Sequence, residues 1–214
     1  MKILKTVQTK NNNNIELIGK ENNNNILIIG VVHGDEPQGE YLIKTYLEKN
    51  SQKENLPLFV PCLNPDGKQL GTRTNANQVD LNRNFPTKNW ADGQTKEGFT
   101  KGSPYYGGKA PASEIETQFL IDTIEKYTPK LVITLHTPYK IVNYDGPAEK
   151  IAQMISHIIK YPVEKSIGYP TPGSFGTYCG VERNIPTITL EMDEEIPVTE
   201  LVQPVHKIFD LLKI

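Results

Sequence analysis

This sequence holds only two cysteines, Cys62 and Cys179, too few for a scaffold built on disulfides. No apolar run approaches the roughly 20 residues of a membrane-spanning helix. The segment at 1–14 lacks the apolar core of a secretory signal peptide. These absences predict a cytoplasmic protein with reduced thiols and no membrane partner.

The charge balance lacks an excess of either sign. Lysine and arginine number 23 against 25 aspartates and glutamates, which gives a net charge of −2. A nucleic-acid partner is therefore not expected, because such proteins present a basic surface. Hydrophobic residues at 37% and charged residues at 22% are typical of a folded globular chain. The length of 214 residues suits a single domain spanning 1–214.

Short apolar runs alternate with segments of helical periodicity. The pattern predicts strands at 15–18, 26–32, 56–63, 131–135 and 187–192, and helices at 38–49, 114–127, 148–159 and 199–212. Asparagine runs at 11–14 and 22–25 predict turns around the first strand. Ser113 and Glu116 have the spacing of a helix capping box. The alternation predicts an α/β fold, a three-layer sandwich whose mixed, mostly parallel central sheet is flanked by helices.

The stretch at 64–111 interrupts this alternation. It shows little periodicity and is rich in Asn, Gly, Pro, Thr and Lys. Segments of this length without secondary structure are usually functional or disordered. This one contains Arg73 and Arg83 in a chain that otherwise prefers lysine, which favours a functional role.

Two of the four histidines follow predicted strands. His33 and His136 lie at the carboxyl ends of these strands, the edge at which open α/β sheets bind ligands. Glu36 adds a carboxylate three residues after His33, and such donors bind zinc while leaving one position open. The alternative is that Glu36 only favours a helix N-terminus. His157 and His206 fall inside helical patterns, where packing or surface roles are the default.

Glu191 ends the last predicted strand, at the same edge of the sheet. A carboxylate there is costly unless it is solvated or paired with charge, and beside a metal it can act as a general base. The alternative is a solvated strand end that continues into the acidic cluster at 193–195.

Arg73, Asn82 and Arg83 bring positive charge and hydrogen-bond donors to the long loop. Guanidinium groups bind carboxylates bidentately and stabilise oxyanions. The alternative, ordinary surface arginine, is disfavoured by the restrained run DLNRNFP at 80–86.

Taken together, these segments resemble the zinc carboxypeptidase family, the carboxypeptidase A-like metallopeptidases. The matching motifs follow the family's order: HGDE at 33–36, NPDG at 64–67, RTN at 73–75, DLNRNF at 80–85, YGG at 106–108, SEIE at 113–116, His136, and TLE at 189–191. The resemblance spans about 26–192. Each motif is short, but the set is specific.

The resemblance implies one zinc ion held by His33, Glu36 and His136. It implies that Glu191 is the general base and acid, and that Asp80 orients His33. A further set of residues would contact the substrate: Arg73 at the scissile carbonyl, Asn82 and Arg83 at a terminal carboxylate, Tyr169 or alternatively Tyr178 as a capping tyrosine, and Phe175 in the specificity pocket.

Within the family, the short chain and the run TPGSFGTY at 171–178 resemble the small bacterial murein peptide amidases. That resemblance implies hydrolysis of the γ-D-glutamyl–meso-diaminopimelate bond of a murein tripeptide during cytoplasmic cell-wall recycling. A general metallocarboxypeptidase is one alternative. Another is an N-acyl amino acid deacylase of the aspartoacylase or succinylglutamate desuccinylase type, whose members usually lack NPDG. A catalytically silent peptide-binding protein is disfavoured by the intact set of ligands and base.

Overall fold

The computed structural model describes residues 1–21, 25–91, 100–165 and 168–211. The strands within these ranges are β1 (Lys2–Gln8), β2 (Asn14–Gly19), β3 (Ile26–Ile29), β4 (Leu58–Val60), β5 (Leu131–His136), β6 (Ile141–Asp145), β7 (Val163–Glu164) and β8 (Thr187–Glu191). They form one sheet in the order β1-β2-β4-β3-β5-β8-β6-β7. The pairs β3–β4, β3–β5, β5–β8 and β6–β7 are parallel, and the other pairs are antiparallel. The predicted mixed, mostly parallel sheet is confirmed.

Helices cover both faces of this sheet. They are α1 (Gln38–Asn50), α2 (Pro65–Leu70), α3 (Ile115–Tyr127), α4 (Glu149–Ile159) and α5 (Val198–Leu211). Alternate residues of β3 point to opposite faces, as the pleat requires. Ile28 joins a core with α1, α4 and α5, whereas Leu27 joins a second core with Phe119 of α3. The predicted three-layer sandwich is therefore confirmed.

The predicted helices and the strands predicted at 15–18, 131–135 and 187–192 agree with the structure to within about a residue at each end, but two other strands are much shorter than predicted. The run at 26–32 leaves the sheet after Ile29, because Val31 adopts a positive φ of 51°. The run at 56–63 contributes only Leu58–Val60. No bounds were predicted for β1, β6 and β7. The apolar pattern of β6 is interrupted by Asn143, and β7 has only two residues. Within the described ranges, no helix is both long and apolar enough to cross a membrane.

The N-terminal asparagine run forms the predicted turn. Thr9 donates its backbone N–H to the carbonyl of Asn13 (2.9 Å), and Asn12 has a φ of 62°. Asparagine tolerates this left-handed conformation better than most residues. Of the second run, residues 22–24 lie outside the described residues.

The long loop contains a helix that was not predicted. The side chain of Asn64 caps α2 by accepting from the N–H of Gly67 (2.9 Å), Pro65 occupies the first turn, and Gly71 ends the helix at a φ of 64°. These are the ordinary start and stop residues of a helix. The NPDG motif is therefore a helix start. Residues 92–99 of the loop lie outside the described residues.

The capping box predicted for α3 is wrong. The helix begins at Ile115, and Glu114 in the capping position makes no side-chain cap. Ser113 instead donates to Oε1 of Glu114 (2.6 Å), and Glu116 accepts from Nδ2 of Asn75 (3.2 Å). Both residues of the expected box thus bind the long loop and its flank rather than the helix backbone.

Candidate active site

Three neighbouring strands bring chemically active residues to one edge of the sheet. Strand β5 lies between β3 and β8. His33 and Glu36 follow β3, His136 is the last residue of β5, and Glu191 is the last residue of β8. His136 and Glu191 are partners in the parallel register of β5 and β8. The topology therefore assembles the site that the strand ends predicted.

His33, Glu36 and His136 form a compact triad, which is called the metal triad below. The Nδ1 atoms of His33 and His136 lie 2.8 Å from Oε1 and Oε2 of Glu36, respectively. The two Nδ1 atoms are 3.2 Å apart. One ligand atom from each residue lies within 4.8 Å of the others, and all three side chains are buried.

The donors of the metal triad fit zinc. Catalytic zinc sites use three protein ligands, drawn from imidazole nitrogen and carboxylate oxygen, and keep a further position open. A positive charge between the two imidazole nitrogens and the carboxylate would stabilise this arrangement, because all three groups present lone pairs to the same point. The triad supplies the geometry for such a cation.

The electrostatics of the metal triad also favour positive charge. Burial raises the pKa of the Glu36 carboxyl, but the two histidines outweigh burial and hold that pKa well below its usual range. Burial lowers the pKa of His33, while Glu36 and Asp80 raise it to a net value of about 9. The surroundings of His33 therefore stabilise a cation, whether a proton or a metal.

Asp80 ties the metal triad to the long loop. Its Oδ1 lies 3.2 Å from Nε2 of His33, and its Oδ2 accepts from Nε of Arg73 (3.1 Å). The Asp80 side chain is fully buried, and both cationic partners keep its pKa well below the usual range. Such carboxylate partners fix the ring orientation of metal-binding histidines. Asp80 therefore leaves Nδ1 of His33 facing the triad.

Glu191 is a buried carboxylate beside the metal triad. Its Oε2 has no hydrogen-bond partner among the described residues. Burial raises the pKa of Glu191, and the Glu36 carboxylate raises it further, against the opposing effect of the two histidines. A buried carboxylate oxygen without a hydrogen-bond partner costs stability, so its presence beside the triad indicates a chemical role.

A cavity of about 300 Å³ opens at the triad. Most of the predicted site residues line it: His33, Glu36, Arg73, Asn82, Arg83, Tyr169 and Glu191. Nη1 of Arg83 donates to the carbonyl of Asn82 (2.7 Å), and its Nε has no acceptor among the described residues. Oδ1 of Asn82 accepts from the N–H of Phe175 (2.9 Å), which leaves the amide N–H groups for a ligand. The N–H groups of Asn82 and Arg83 on this wall of the cavity can therefore bind a carboxylate.

The structure separates the two candidate capping tyrosines. Tyr169 lines the cavity and is 42% exposed. Burial and a hydrogen bond with Tyr139 raise the pKa of Tyr169 to about 12, so its phenol stays protonated at neutral pH. Tyr178 is fully buried in the core, with the guanidinium of Arg183 3.4 Å from its ring centroid. Of the two candidates, Tyr169 is therefore the one that lines the cavity, and we keep it as the candidate capping residue.

Phe175, which was predicted to shape a specificity pocket, does not line this cavity with its ring. Its side chain is 3% exposed, and its ring packs against Phe85 with centroids 5.0 Å apart. The ring belongs to the buried core cluster that also contains Phe85 and Tyr178. The contribution of Phe175 to the cavity is its backbone N–H, which positions Asn82.

Two further tyrosines in the cavity were missed from the sequence. The ring centroid of Tyr105 lies 5.4 Å from the guanidinium carbon of Arg73 and 5.9 Å from that of Arg83, so it supports both cations. Tyr139 lies beside Tyr169 in the cavity wall. Their positions in the sequence could have identified both tyrosines as site candidates. Tyr105 directly precedes the YGG motif, and Tyr139 follows His136 by three residues.

The sheet topology and the metal triad together define a class, the zinc metallopeptidases and amidases of mixed α/β fold. The sequence model of the family described as "Zinc carboxypeptidase" matches residues 2–152, and the chain belongs to that family. The matched range contains the metal triad, Arg73 and Asn82.

Within this family, the sequence is similar to two proteins of the same name. "Murein peptide amidase A" of Escherichia coli K12 is 36% identical over 164 residues, which cover 74% of this chain and 67% of that protein. The protein of the same name from Vibrio campbellii is 42% identical over 136 residues, which cover 61% of this chain and 54% of that protein.

Solved structures extend the likeness to nearly the whole chain. The murein-tripeptide amidase MpaA from E. coli O157 superposes with a TM-score of 0.81 at 30% identity, over 97% of this chain and 90% of that one. Carboxypeptidase A from Helicoverpa armigera superposes with a TM-score of 0.75 at 14% identity, over 99% of this chain and 68% of that one. The latter likeness is one of fold alone.

Proposed function

We propose that this chain is a zinc-dependent murein peptide amidase of the cytoplasm, acting on the γ-D-glutamyl–meso-diaminopimelate bond of a murein tripeptide. The observation that carries the proposal is one cavity that brings together His33 and Glu36 of the metal triad, Glu191 with its unpartnered Oε2, and a wall of three substrate-binding candidates, Arg73, Asn82 and Arg83. The likeness to two murein peptide amidases supports this substrate class. The two cysteines are free, which agrees with a reducing compartment.

The protein residues position the substrate. Zinc held by the metal triad would supply a Lewis acid that polarises the scissile carbonyl and makes water more acidic. Asn82 and Arg83 bind the carboxylate next to the scissile amide and fix the amide in the cavity. Arg73 donates to the carbonyl oxygen as negative charge develops there. The protonated phenol of Tyr169 closes the open side of the cavity.

Glu191 moves the proton. Its ionised carboxylate takes a proton from the attacking water, whose oxygen bonds to the carbonyl carbon. The protonated Glu191 then gives that proton to the amide nitrogen as the carbon–nitrogen bond breaks. The products are a γ-carboxylic acid on the glutamyl side and the amine of diaminopimelate, and the proton that the acid loses on ionising leaves the amine as an ammonium at neutral pH.

The test is hydrolysis of L-Ala-γ-D-Glu-meso-diaminopimelate by zinc-loaded protein and by protein treated with a chelator. Release of diaminopimelate that the chelator abolishes and zinc restores is the expected result. Zinc-loaded protein that leaves this tripeptide intact but cleaves N-acyl amino acids or ordinary C-terminal peptides would overturn the murein assignment. The protein would then still be a zinc-dependent hydrolase, but one that acts on another substrate.

A further inference from the structure

A turn at 75–79 joins two residues of the active site. Arg73 lies two residues before this turn and Asp80 directly after it, and the two side chains form an ion pair beside the metal triad. The turn closes on itself, because Oδ1 of Asn75 accepts from the backbone N–H groups two and four residues later (3.0 and 3.1 Å). A displacement of this turn as a unit would therefore move both members of the ion pair.

The side chain of Glu114, the residue directly before α3, binds this turn. Its Oε2 accepts from Nδ2 of Asn75 (2.8 Å) and from Nδ2 of Asn77 (2.7 Å), and its Oε1 accepts from the hydroxyl of Ser113 (2.6 Å). Glu114 is only 4% exposed. A buried carboxylate is costly unless hydrogen bonds replace the water that it loses. Two of these bonds come from the turn, so Glu114 and the turn stabilise each other.

The amide of Asn75 has a second contact with α3. Its Nδ2 also donates to Oε1 of Glu116 (3.2 Å), so its two N–H groups serve one carboxylate each. Asn75 is buried, and its side-chain oxygen is taken by the turn itself. Rotation of this amide would break several hydrogen bonds at once, which gives the turn a single orientation against α3.

The backbone of Glu114 binds a different segment of the long loop. Its N–H donates to Oδ1 of Asn84 (3.2 Å), which directly follows Arg83 in the chain. The side chain of Glu114 therefore holds the turn beside Arg73, whereas its backbone holds the segment beside Arg83. A substitution of the side chain should affect the first of these segments and spare the second.

We propose that Glu114 is a positioning residue for the proposed reaction, because its side chain fixes the turn that joins Arg73 to Asp80. Through Asp80 it orients His33 in the metal triad, and through Arg73 it places the guanidinium group at the scissile carbonyl. The inference rests on the proposed function, since the role of Arg73 at a carbonyl oxygen belongs to that function. Glu114 does not line the catalytic cavity, so its contribution passes through the turn.

Two variants test this role in the hydrolysis of L-Ala-γ-D-Glu-meso-diaminopimelate. Glu114→Gln keeps an oxygen for the two asparagines of the turn and an N–H group for the oxygen of Ser113, so it should retain the kcat of the parent. Glu114→Ala releases the turn and should lower kcat by about tenfold or more. Its KM should change little, because the segment that carries Asn82 and Arg83 is held separately.

Zinc affinity provides a measurement that does not depend on the substrate. Release of the turn loosens Asp80, and carboxylate partners of metal-binding histidines usually contribute about 10- to 100-fold to metal affinity. We expect Kd for zinc, measured by competition with a chromophoric chelator, to rise by about tenfold in Glu114→Ala and to stay unchanged in Glu114→Gln. If Glu114→Ala does not fold, Asn77→Asp replaces it, because this exposed position then places a second carboxylate against Glu114. It should lower kcat and zinc affinity in the same way.

The matched control is Glu125→Ala on the exposed face of α3, which should leave kcat, KM and zinc affinity unchanged. A folded Glu114→Ala protein with the kcat and zinc affinity of the parent would overturn the inference. Equal losses in Glu114→Ala and Glu114→Gln, or a loss confined to KM, would also overturn it. If the zinc-loaded parent leaves the tripeptide intact, the proposed function fails, and the zinc affinities then decide the inference. A Kd raised in Glu114→Ala but not in Glu114→Gln would support it, and an unchanged Kd or a parent that binds no zinc would overturn it.

Discussion

Glu191 combines burial, a raised pKa and an unpartnered oxygen at the metal triad. Glu191→Gln keeps the shape of the side chain but cannot take a proton from water. We expect kcat to fall by about 10²- to 10⁴-fold, the usual contribution of general acid–base catalysis, with zinc content unchanged. Stopped assays of diaminopimelate release and metal analysis check this, and a fully active Glu191→Gln protein would remove the residue from the mechanism.

Arg73 faces two anions at once, since Nε donates to Asp80 and Nη1 lies 3.6 Å from Oε1 of Glu36. A lysine cannot keep both contacts and still reach a carbonyl oxygen. Arg73→Lys should lower kcat by about 10²-fold with a smaller change in KM. Arg183→Lys is the matched control, because Arg183 stacks on the core residue Tyr178. A loss confined to KM would instead make Arg73 a residue of ground-state binding.

Individual residues differed in how far the sequence could predict them. Strand ends predicted the edge at which His33, His136 and Glu191 meet, because parallel strands deliver their carboxyl ends to the same side. The ring of Phe175 could not be placed in this way, since a motif places a residue along the chain but not the direction of its ring. Tyr105 and Tyr139 were missed altogether, because both lie next to recognisable motif residues without belonging to a motif themselves.

Among the elements, α3 carries a buried acid whose titration bears on stability. Glu116 is 2% exposed, and burial raises its pKa from 4.5 to about 7. The folded protein therefore holds a proton that the unfolded chain has lost between these values, and stability falls as pH rises through this window. The neutral variant Glu116→Gln keeps an acceptor for Asn75 and should be more stable than the parent at about pH 8, by at most about 3 kcal/mol.

Thermal unfolding at about pH 5 and pH 8 measures this effect. The gain from Glu116→Gln should shrink at the lower pH, where Glu116 of the parent is itself protonated. Glu125→Gln, on the exposed face of the same helix, is the control and should give no such pH dependence. A gain of equal size at both values of pH would show that the pKa of Glu116 is not raised.

Elements with a strong period were the predictable ones. Helices α1, α3, α4 and α5 follow from their spacing, whereas α2 is six residues long and was hidden in a polar stretch. Its start and stop residues, Asn64, Pro65 and Gly71, could nevertheless have been recognised in the sequence as helix-capping signals. The π-helical turn at Thr177–Val181 has no comparable signal in the local sequence.

Over the whole molecule, the metal triad connects the segment after β3 to the end of β5. A cation that binds only the folded chain stabilises it by mass action, about 2.7 kcal/mol at a free concentration 100-fold above Kd. We expect a chelator to lower Tm by about 5 °C or more. His136→Ala should make Tm insensitive to zinc, whereas His157→Ala on α4 should not. A Tm that zinc leaves unchanged in the parent would argue against metal binding at the triad.

The register of β5 and β8 has a consequence for quality control of folding. His136 and Glu191 face each other only because Val132 pairs with Thr187 and each following residue stays in step. A slip of one residue would turn these side chains to opposite faces of the sheet. A misregistered chain would keep most of its secondary structure and apolar burial yet separate the base from the metal ligands. The rate of turnover per folded molecule therefore reports whether β5 and β8 pair in the correct register. Circular dichroism does not report this, because it measures only the content of secondary structure.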